Sequence, residues 1–165
     1  MPPPTWVTGQ VLTASDVNTW FVPIVATKTA DTSRASTVTV TADPELTVTI
    51  PSAGTWYLLC YLNYEGAAVG TGDLKIQVTS VGTLRYHAIY QGAGGAANVG
   101  STFQGGGTPS GFATQGLGTL CGGTLHGTLV TATSGTTTLN WAQNTSNATA
   151  TTLHANSSMM LWRIS

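Results

Sequence analysis

The sequence predicts an all-β protein, an antiparallel β-sandwich of the jelly-roll kind with about eight or nine strands. Apolar residues alternate with Thr and other polar residues through most of the chain after residue 36, which is the period of a strand with one buried face. Gly, Pro, Asp and Asn separate these stretches at spacings typical of a sandwich. The one convincing helix signal lies within residues 1–23. The 165 residues suffice for one domain with a substantial core.

Residues 1–23 form a predicted anchoring arm with a short helix. The three consecutive prolines near the N-terminus favour an extended polyproline II conformation. Thr13 is the expected helix cap, with Asp16 as its partner in the first turn, and Pro23 ends the helix. Two turns of helix are not stable alone in water, so the segment must dock on its own domain or on a partner. The residues predicted to make this docking contact are Trp6, Val11, Leu12, Val17, Trp20 and Phe21.

The remaining residues, 24–165, form the predicted sandwich domain. Its first two strands are expected on either side of a turn at Asp43-Pro44. The segment 83–90 is the weakest strand candidate. The predicted strands are 36–41, 46–50, 55–64, 73–79, 83–90, 124–132, 136–143, 149–154 and 158–164.

The segment 55–64, TWYLLCYLNY, is apolar on both faces. One face carries Trp56, Leu58, Cys60, Leu62 and Tyr64. A strand of this kind is central in a sheet that is covered on both sides. The second face is therefore expected to lie under the N-terminal arm or against another subunit. Its residues, Tyr57, Leu59 and Tyr61, are the predicted trimer interface.

Residues 92–123 hold 12 of the 20 glycines and are too long for an ordinary connection. We expect a loop inserted into the sandwich domain. A contact-making loop pinned by Phe103, Phe112 and Leu117 and a merely flexible loop are both consistent with this composition.

Charged residues make up only 7% of the chain, against about 25% in typical domains. The five Lys and Arg residues are dispersed and the net charge is −1, which argues against nucleic acid as a partner. No run of 18 apolar residues is present, so no membrane span is expected, and the N-terminus does not have the pattern of a signal peptide. A surface of this kind suits packing against like copies, although it also serves solubility alone.

No constellation of residues predicts catalysis, a cofactor or a metal. The sequence has no G-x-S-x-G nucleophile context and no close carboxylate pair, and its glycine runs lack the helix and Lys that cradle phosphate. Three histidines lie in separate predicted strands, and although three such residues can meet at a metal, isolated strand histidines are more often structural. They are His87, His126 and His154.

Tryptophan and cysteine side chains leave two further alternatives open. Trp56, Trp141 and Trp162 are candidates for stacking on sugar rings, but their strand positions favour the core. Cys60 is expected to be a buried thiol in an apolar strand, and a disulfide with Cys121 is the alternative.

Residues 6–20, WVTGQVLTASDVNTW, resemble the opening segment of many virion proteins from tailed phages of actinobacteria. There a G-x-x-L-T-A-x-D-x-N run precedes a β domain. The segments 28–37, 43–46, 139–147 and 158–164 are similar to the first and last strands of the same group. The resemblance covers about half of the chain and implies a β domain like the trimeric C1q/tumour-necrosis-factor jelly roll.

The resemblance implies a virion structural protein, assembled in the host cytoplasm. The expected role is a homotrimeric capsid decoration protein that docks on the major capsid protein, or on other virion proteins, and stabilises the shell. The alternative is a minor tail or fibre protein that binds a host-surface glycan. An enzyme that acts on the cell wall is the third and least supported hypothesis.

Overall fold

The computed structural model describes residues 5–67, 73–90, 99–100, 104–107 and 109–165. Two antiparallel sheets pack face to face as a sandwich, which confirms the predicted fold class. Within the described residues there are thirteen strands, two of them only two residues long, and one short helix.

The helix α1 spans Ala14–Trp20, and the strands are β1 Ile24–Thr27, β2 Thr32–Arg34, β3 Thr41–Ile50, β4 Gly54–Glu65, β5 Leu74–Ser80, β6 Thr83–Tyr90, β7 Val99–Gly100, β8 Gln104–Gly105, β9 Ser110–Phe112, β10 Cys121–Thr131, β11 Gly135–Gln143, β12 Thr151–Leu153 and β13 Ser158–Arg163.

The larger sheet has the order β1-β13-β4-β10-β6-β7, with β12 joining β2 to β4 and β8 pairing with β6. The smaller sheet has the order β3-β11-β5-β9. The long strands β4 and β10 lie at the centre of the larger sheet, paired along eleven residues from Cys121↔Tyr64 to Thr131↔Gly54. The first strand of the domain, β1, is an edge strand beside β13.

The core lies between the two sheets and is filled by alternate residues of each strand. Leu58 and Leu125 from the larger sheet and Ile76 and Leu139 from the smaller sheet are fully buried. Each such side chain contributes roughly 1.5–3 kcal/mol by leaving water. The period of two therefore identifies the inward positions of β4, β5, β10 and β11 correctly.

The predicted strand at 36–41 is wrong, because residues 36–40 lie outside any strand and β3 runs unbroken through Asp43-Pro44. The pairing of β3 with β11 explains this difference. Thr138 is opposite Thr47, and Asn140 is opposite Ala42, so residues 43–46 bulge out of register against β11. The Asp-Pro pair does bend the chain, but the bend is a bulge within a strand rather than a hairpin turn.

Two short strands, β1 and β2, lie in a region where the alternation of apolar and polar residues predicted no strand. They are four and three residues long, respectively, too short to display a clear alternation.

The glycine-rich stretch is only partly described, since residues 92–98, 101–103 and 108 lie outside the described residues, Phe103 among them. Its described parts contribute β7 and β8 to the larger sheet and β9 to the smaller one. Phe112 is fully buried and stacks on Tyr90, with ring centroids 4.7 Å apart. Leu117 is exposed. The stretch is therefore partly built into the core.

Candidate functional site

The helix α1 begins as the sequence predicts. The Thr13 hydroxyl accepts a hydrogen bond from the Asp16 backbone N–H at 3.1 Å, and the Asp16 carboxylate accepts one from the Thr13 N–H at 3.0 Å. The hydrogen bond from the Thr13 side chain also lowers the pKa of Asp16. This reciprocal cap fixes the start of the helix, but no residue of the helix is buried. The helix is thus formed while most of its surface stays exposed.

The predicted docking residues of the arm form an apolar surface that is largely exposed. Trp6 and Trp20 are half-buried, whereas Val11 is 81% exposed and Leu12, Val17 and Phe21 are also exposed. Val7 and Val22, which the sequence analysis did not single out, are exposed as well. An apolar surface of this density is a feature of interaction sites rather than of free surface.

One arginine connects the end of α1 to the sandwich. The Arg163 guanidinium lies 4.5 Å from the centre of the Trp20 ring and 5.7 Å from that of Trp56. It also donates hydrogen bonds to Ser52 Oγ at 3.1 Å and to the Ala53 carbonyl at 3.1 Å. Sequence reasoning missed this contact, because nothing in the spacing of Trp20, Trp56 and Arg163 indicates that they meet.

A groove of roughly 570 Å³ runs between α1 and the sandwich. Ser15, Asn18 and Thr19 of the helix line one side, and Trp56 and Arg163 line the other. The helix therefore lies over the end of the sandwich with space beneath it. Beside this groove, the buried indole N–H of Trp56 has no hydrogen-bond partner among the described residues.

The outer face of the larger sheet is the second apolar surface. Tyr57 and Tyr61 are 38% and 48% exposed, and Leu59 between them is half-buried. The three predicted interface residues thus share one face, as alternation along β4 requires. The arm leaves Tyr57 and Tyr61 uncovered.

Neighbouring strands extend this outer face through cross-strand partners. Met160 is opposite Leu59, and Trp162 is opposite Tyr57. On the other side, His126 is opposite Leu59, and the Tyr57 hydroxyl lies 3.1 Å from His126 Nδ1. Aromatic, aliphatic and imidazole side chains therefore form one continuous surface.

Two of the three tryptophans expected in the core are buried, and the third is exposed. Trp56 and Trp141 are buried, as expected, but the prediction for Trp162 is wrong, because it is 43% exposed on the outer face. Within β13 the inward positions belong to Met159 and Leu161, so Trp162 must point outward.

The histidines do not converge. His87 and His126 are opposite each other on β6 and β10, whereas His154 pairs with Asp31 at 3.1 Å elsewhere. Across the described ranges, no group of three or more His, Cys, Asp or Glu side chains is arranged to hold a metal ion. The one helix within the described residues, α1, is not long and apolar enough to span a membrane.

Both cysteines are free and buried, so the disulfide alternative is not present in the structure. Burial raises the pKa of the Cys60 and Cys121 thiols. Thiols in this state are poor nucleophiles.

A buried polar cluster lies where β1 of the larger sheet meets the bulge of β3. Lys28 Nζ is 3.0 Å from Asp43 Oδ2, and neither side chain has any exposed surface. Lys28 also donates to Thr32 Oγ1 at 2.7 Å and to Glu45 Oε2 at 3.4 Å. The Trp141 indole N–H donates to Asp43 Oδ2 at 3.0 Å. Hydrogen bonds from the Thr29 hydroxyl and backbone lower the pKa of Glu45 to about 2.

No signal in the sequence singled out this cluster. A Lys directly after a short strand is ordinarily a solvated residue, and Lys is almost never fully buried unless it is paired. The bulge at residues 43–46 is what turns the Asp43 carboxylate inward.

No protein-family model and no curated protein matches the chain. Among solved structures, a chain from "Structure of infectious bursal disease virus Gt strain" aligns with 99% of this chain, at 12% identity and a TM-score of 0.14. The alignment covers 45% of that viral chain, so this chain spans less than half of its length.

Proposed function

We propose that this protein is a virion structural protein, a homotrimeric decoration protein that docks on the capsid of a tailed phage and stabilises it. The observation that carries the proposal is the arm. It presents an exposed apolar surface, including Val11 and Phe21, on a formed helix that its own domain leaves unburied. The similarity of residues 6–20 to the opening segments of actinobacteriophage virion proteins also supports a role in the virion.

The arm supplies the docking energy in this proposal. Burying apolar surface is worth about 25 cal/mol per Å², so a few hundred Å² on each arm gives several kcal/mol before ordering costs. Three arms on one trimer bind with avidity, because the second and third docking events are intramolecular. Clamping adjacent capsid subunits in this way resists the pressure of packed DNA.

The outer face of the larger sheet supplies the trimer contact. Tyr57, Leu59 and Tyr61 present apolar and aromatic surface without charge, as the centres of protein interfaces do. In this proposal the partners are copies of the chain itself and the major capsid protein or another virion protein. It acts in the virion, without catalysis and without binding nucleic acid or membrane.

The anchoring role is tested by deleting residues 1–23 and adding the purified protein to particles that lack it. Because α1 buries none of its residues, the truncated protein is expected to remain a folded trimer by circular dichroism and sedimentation. It is expected to lose particle binding at least about tenfold, which corresponds to roughly 1.4 kcal/mol.

A finer version of the test uses two point changes in the arm, Val11→Ser and Phe21→Ser, in one variant. The matched control is Val38→Ser, which removes an exposed apolar residue of the sandwich away from the arm. Equal binding of the arm variant, the control and the wild type would show that the arm is not the anchor.

A minor tail or fibre protein that binds host glycan is the second candidate. The observation in its favour is the set of exposed aromatic residues on the outer face, Tyr57, Tyr61 and Trp162, since aromatic rings stack on sugars. The two functions compete for the same face, because a trimer contact there would bury these rings. Glycan-array binding that is lost in Tyr61→Ser, together with a few copies per virion by quantitative mass spectrometry, would support the glycan function. Hundreds of copies per virion would support decoration.

A further inference from the structure

The Lys28 amine and the Asp43 carboxyl group are held against each other in the interior. Lys28 Nζ lies 3.0 Å from Oδ2 and 3.3 Å from Oδ1. We propose that Lys28 and Asp43 condense spontaneously into an intramolecular amide bond, with Glu45 as the proton carrier. The bond would join the first strand of the larger sheet covalently to the smaller sheet.

The backbone holds the two reacting groups in place. The Lys28 N–H donates to the Ser157 carbonyl and its own carbonyl accepts from the Asn156 N–H, both at 2.8 Å. Nζ contacts both oxygens of the carboxyl group, so it lies close to the carbon between them, near the 3–3.5 Å of a near-attack arrangement. Two groups held in this way react as if each were present at a concentration far above any that is reached in solution.

The carboxyl group is also polarised for attack. Asp43 Oδ1 accepts hydrogen bonds from the backbone N–H groups of Glu45 at 3.0 Å and Leu46 at 3.1 Å. Two backbone donors on one oxygen are the arrangement that stabilises the oxyanion of a tetrahedral intermediate. The Trp141 indole N–H binds the other oxygen, Oδ2, and fixes the plane of the carboxyl group.

The reaction is a condensation that releases one water molecule. One proton passes from the Lys28 ammonium to Asp43 Oδ2, which removes both charges from the interior. Nζ then attacks the carboxyl carbon with its lone pair, and the π electrons of the carbonyl move to Oδ1. Glu45 Oε2, 3.4 Å from Nζ, accepts a second proton from Nζ and delivers it to Oδ2.

The Cγ–Oδ2 bond then breaks with its electron pair, and Oδ2 leaves as water while Oδ1 re-forms the carbonyl. Of the three ammonium protons, one stays on the amide nitrogen and two leave in the water. Glu45 returns to its initial state, and no oxidant or cofactor takes part.

The position of the bond suits a domain that is pulled from its N-terminus. The arm leads directly into β1, an edge strand held to the larger sheet through β13, and edge strands peel away most easily under load. A bond from Lys28 to the bulge of β3 would transfer that load to the smaller sheet. This mechanical role rests on the proposed function, whereas the bond itself does not.

The test is the intact mass of the purified full-length chain, measured under denaturing conditions. The expected mass is one water molecule below the value given by the sequence, after allowance for removal of Met1. Tandem mass spectrometry after proteolysis is expected to find the peptides containing Lys28 and Asp43 joined.

Matched variants assign the chemistry. Lys28→Met is expected to have the full mass, whereas Lys75→Met, the same change at a lysine outside the cluster, is expected to keep the loss of water. Glu45→Gln is expected to slow the reaction, giving a mixture of full and reduced mass in freshly purified protein. Wild-type protein of full mass would overturn the proposal, as would a loss of water without the joined peptides.

The mass measurement needs no phage particle, so the two proposals fail separately. A full mass would show that the cluster is an ion pair and leave the virion role untouched. A truncated arm that still binds particles would refute the anchoring role and leave the bond in place.

Discussion

Replacing Gly123 by Ala is expected to destabilise the protein, because there is no room for a methyl group at this position of β10. An added Cβ would lie 2.6 Å from Phe112 Cε2 and 2.8 Å from its Cδ2. The ring cannot easily move away, since it is stacked on Tyr90 and packed against Tyr64 at 5.9 Å between centroids. Forcing one carbon into such a core typically costs 1–3 kcal/mol.

The neighbouring residue provides a matched control. A Cβ at Gly122 would have no atom within 4 Å, and this residue is exposed in the same strand. Gly122→Ala should therefore be neutral, or should stabilise the fold by about 0.4–1 kcal/mol through reduced freedom of the unfolded chain. The reduced freedom of the unfolded chain is common to both variants, so the difference between them is the cost of overpacking alone, about 1–3 kcal/mol.

Urea unfolding followed by tryptophan fluorescence measures this difference from the transition midpoints. A second change, Phe112→Leu, should restore part of the stability lost in Gly123→Ala, because the smaller side chain makes room for the methyl group. If the two glycine variants unfold within about 0.5 kcal/mol of each other, the size of an ordinary surface effect, the packing of Phe112 over Gly123 is wrong.

Three further predictions concern the buried thiols, the Glu45 carboxylate and the outer face of the larger sheet. In native protein Cys60 and Cys121 should not react with iodoacetamide at neutral pH, because burial raises their pKa; mass spectrometry should find modification of both only after unfolding. The pKa of Glu45 falls on folding from 4.5 to about 2, so its contribution to stability is present above pH 4.5 and is lost as the pH falls towards 2. Acid titrations at several urea concentrations should accordingly show a shallower loss of stability over that window in Thr29→Val, which lacks the hydroxyl that contributes most to the lowered pKa. Tyr61→Lys should give monomers in analytical ultracentrifugation whereas Val38→Lys should not, and a trimeric Tyr61→Lys protein would place the interface elsewhere.

The parts of the fold that the sequence predicts are those where alternation is long and regular. β4 and β10 pair along eleven residues, and each additional pair of positions strengthens the period. Asp43-Pro44 shows where such reasoning fails. The local preference of Asp for bonding to the next backbone N–H groups is satisfied, at Glu45 and Leu46, but tertiary pairing with β11 decides that the chain continues as a strand.

The candidate sites depend on tertiary contacts that a linear pattern does not contain. The start of the helix at Thr13 is local, because the capping residues are three positions apart, and it is correctly predicted. The contact of Trp20 with Arg163 joins positions near opposite ends of the chain. Alternation along β13 defines two faces but does not say which one is buried. Met159 and Leu161 lie on the buried face, so Trp162 lies on the exposed one.

Some of the few charged side chains of this protein make contacts within the molecule. Lys28 and Asp43 are buried together, and the Arg34 guanidinium lies 4.1 Å from the centre of the Trp141 ring while donating to the backbone carbonyls of Thr41 and Ala42. The scarcity of charge noted in the sequence therefore becomes a still greater scarcity at the surface. Copies of such a molecule repel one another weakly, and contacts between them must rely on apolar burial and neutral hydrogen bonds. The exposed arm and the outer face of the larger sheet provide apolar surface of that kind.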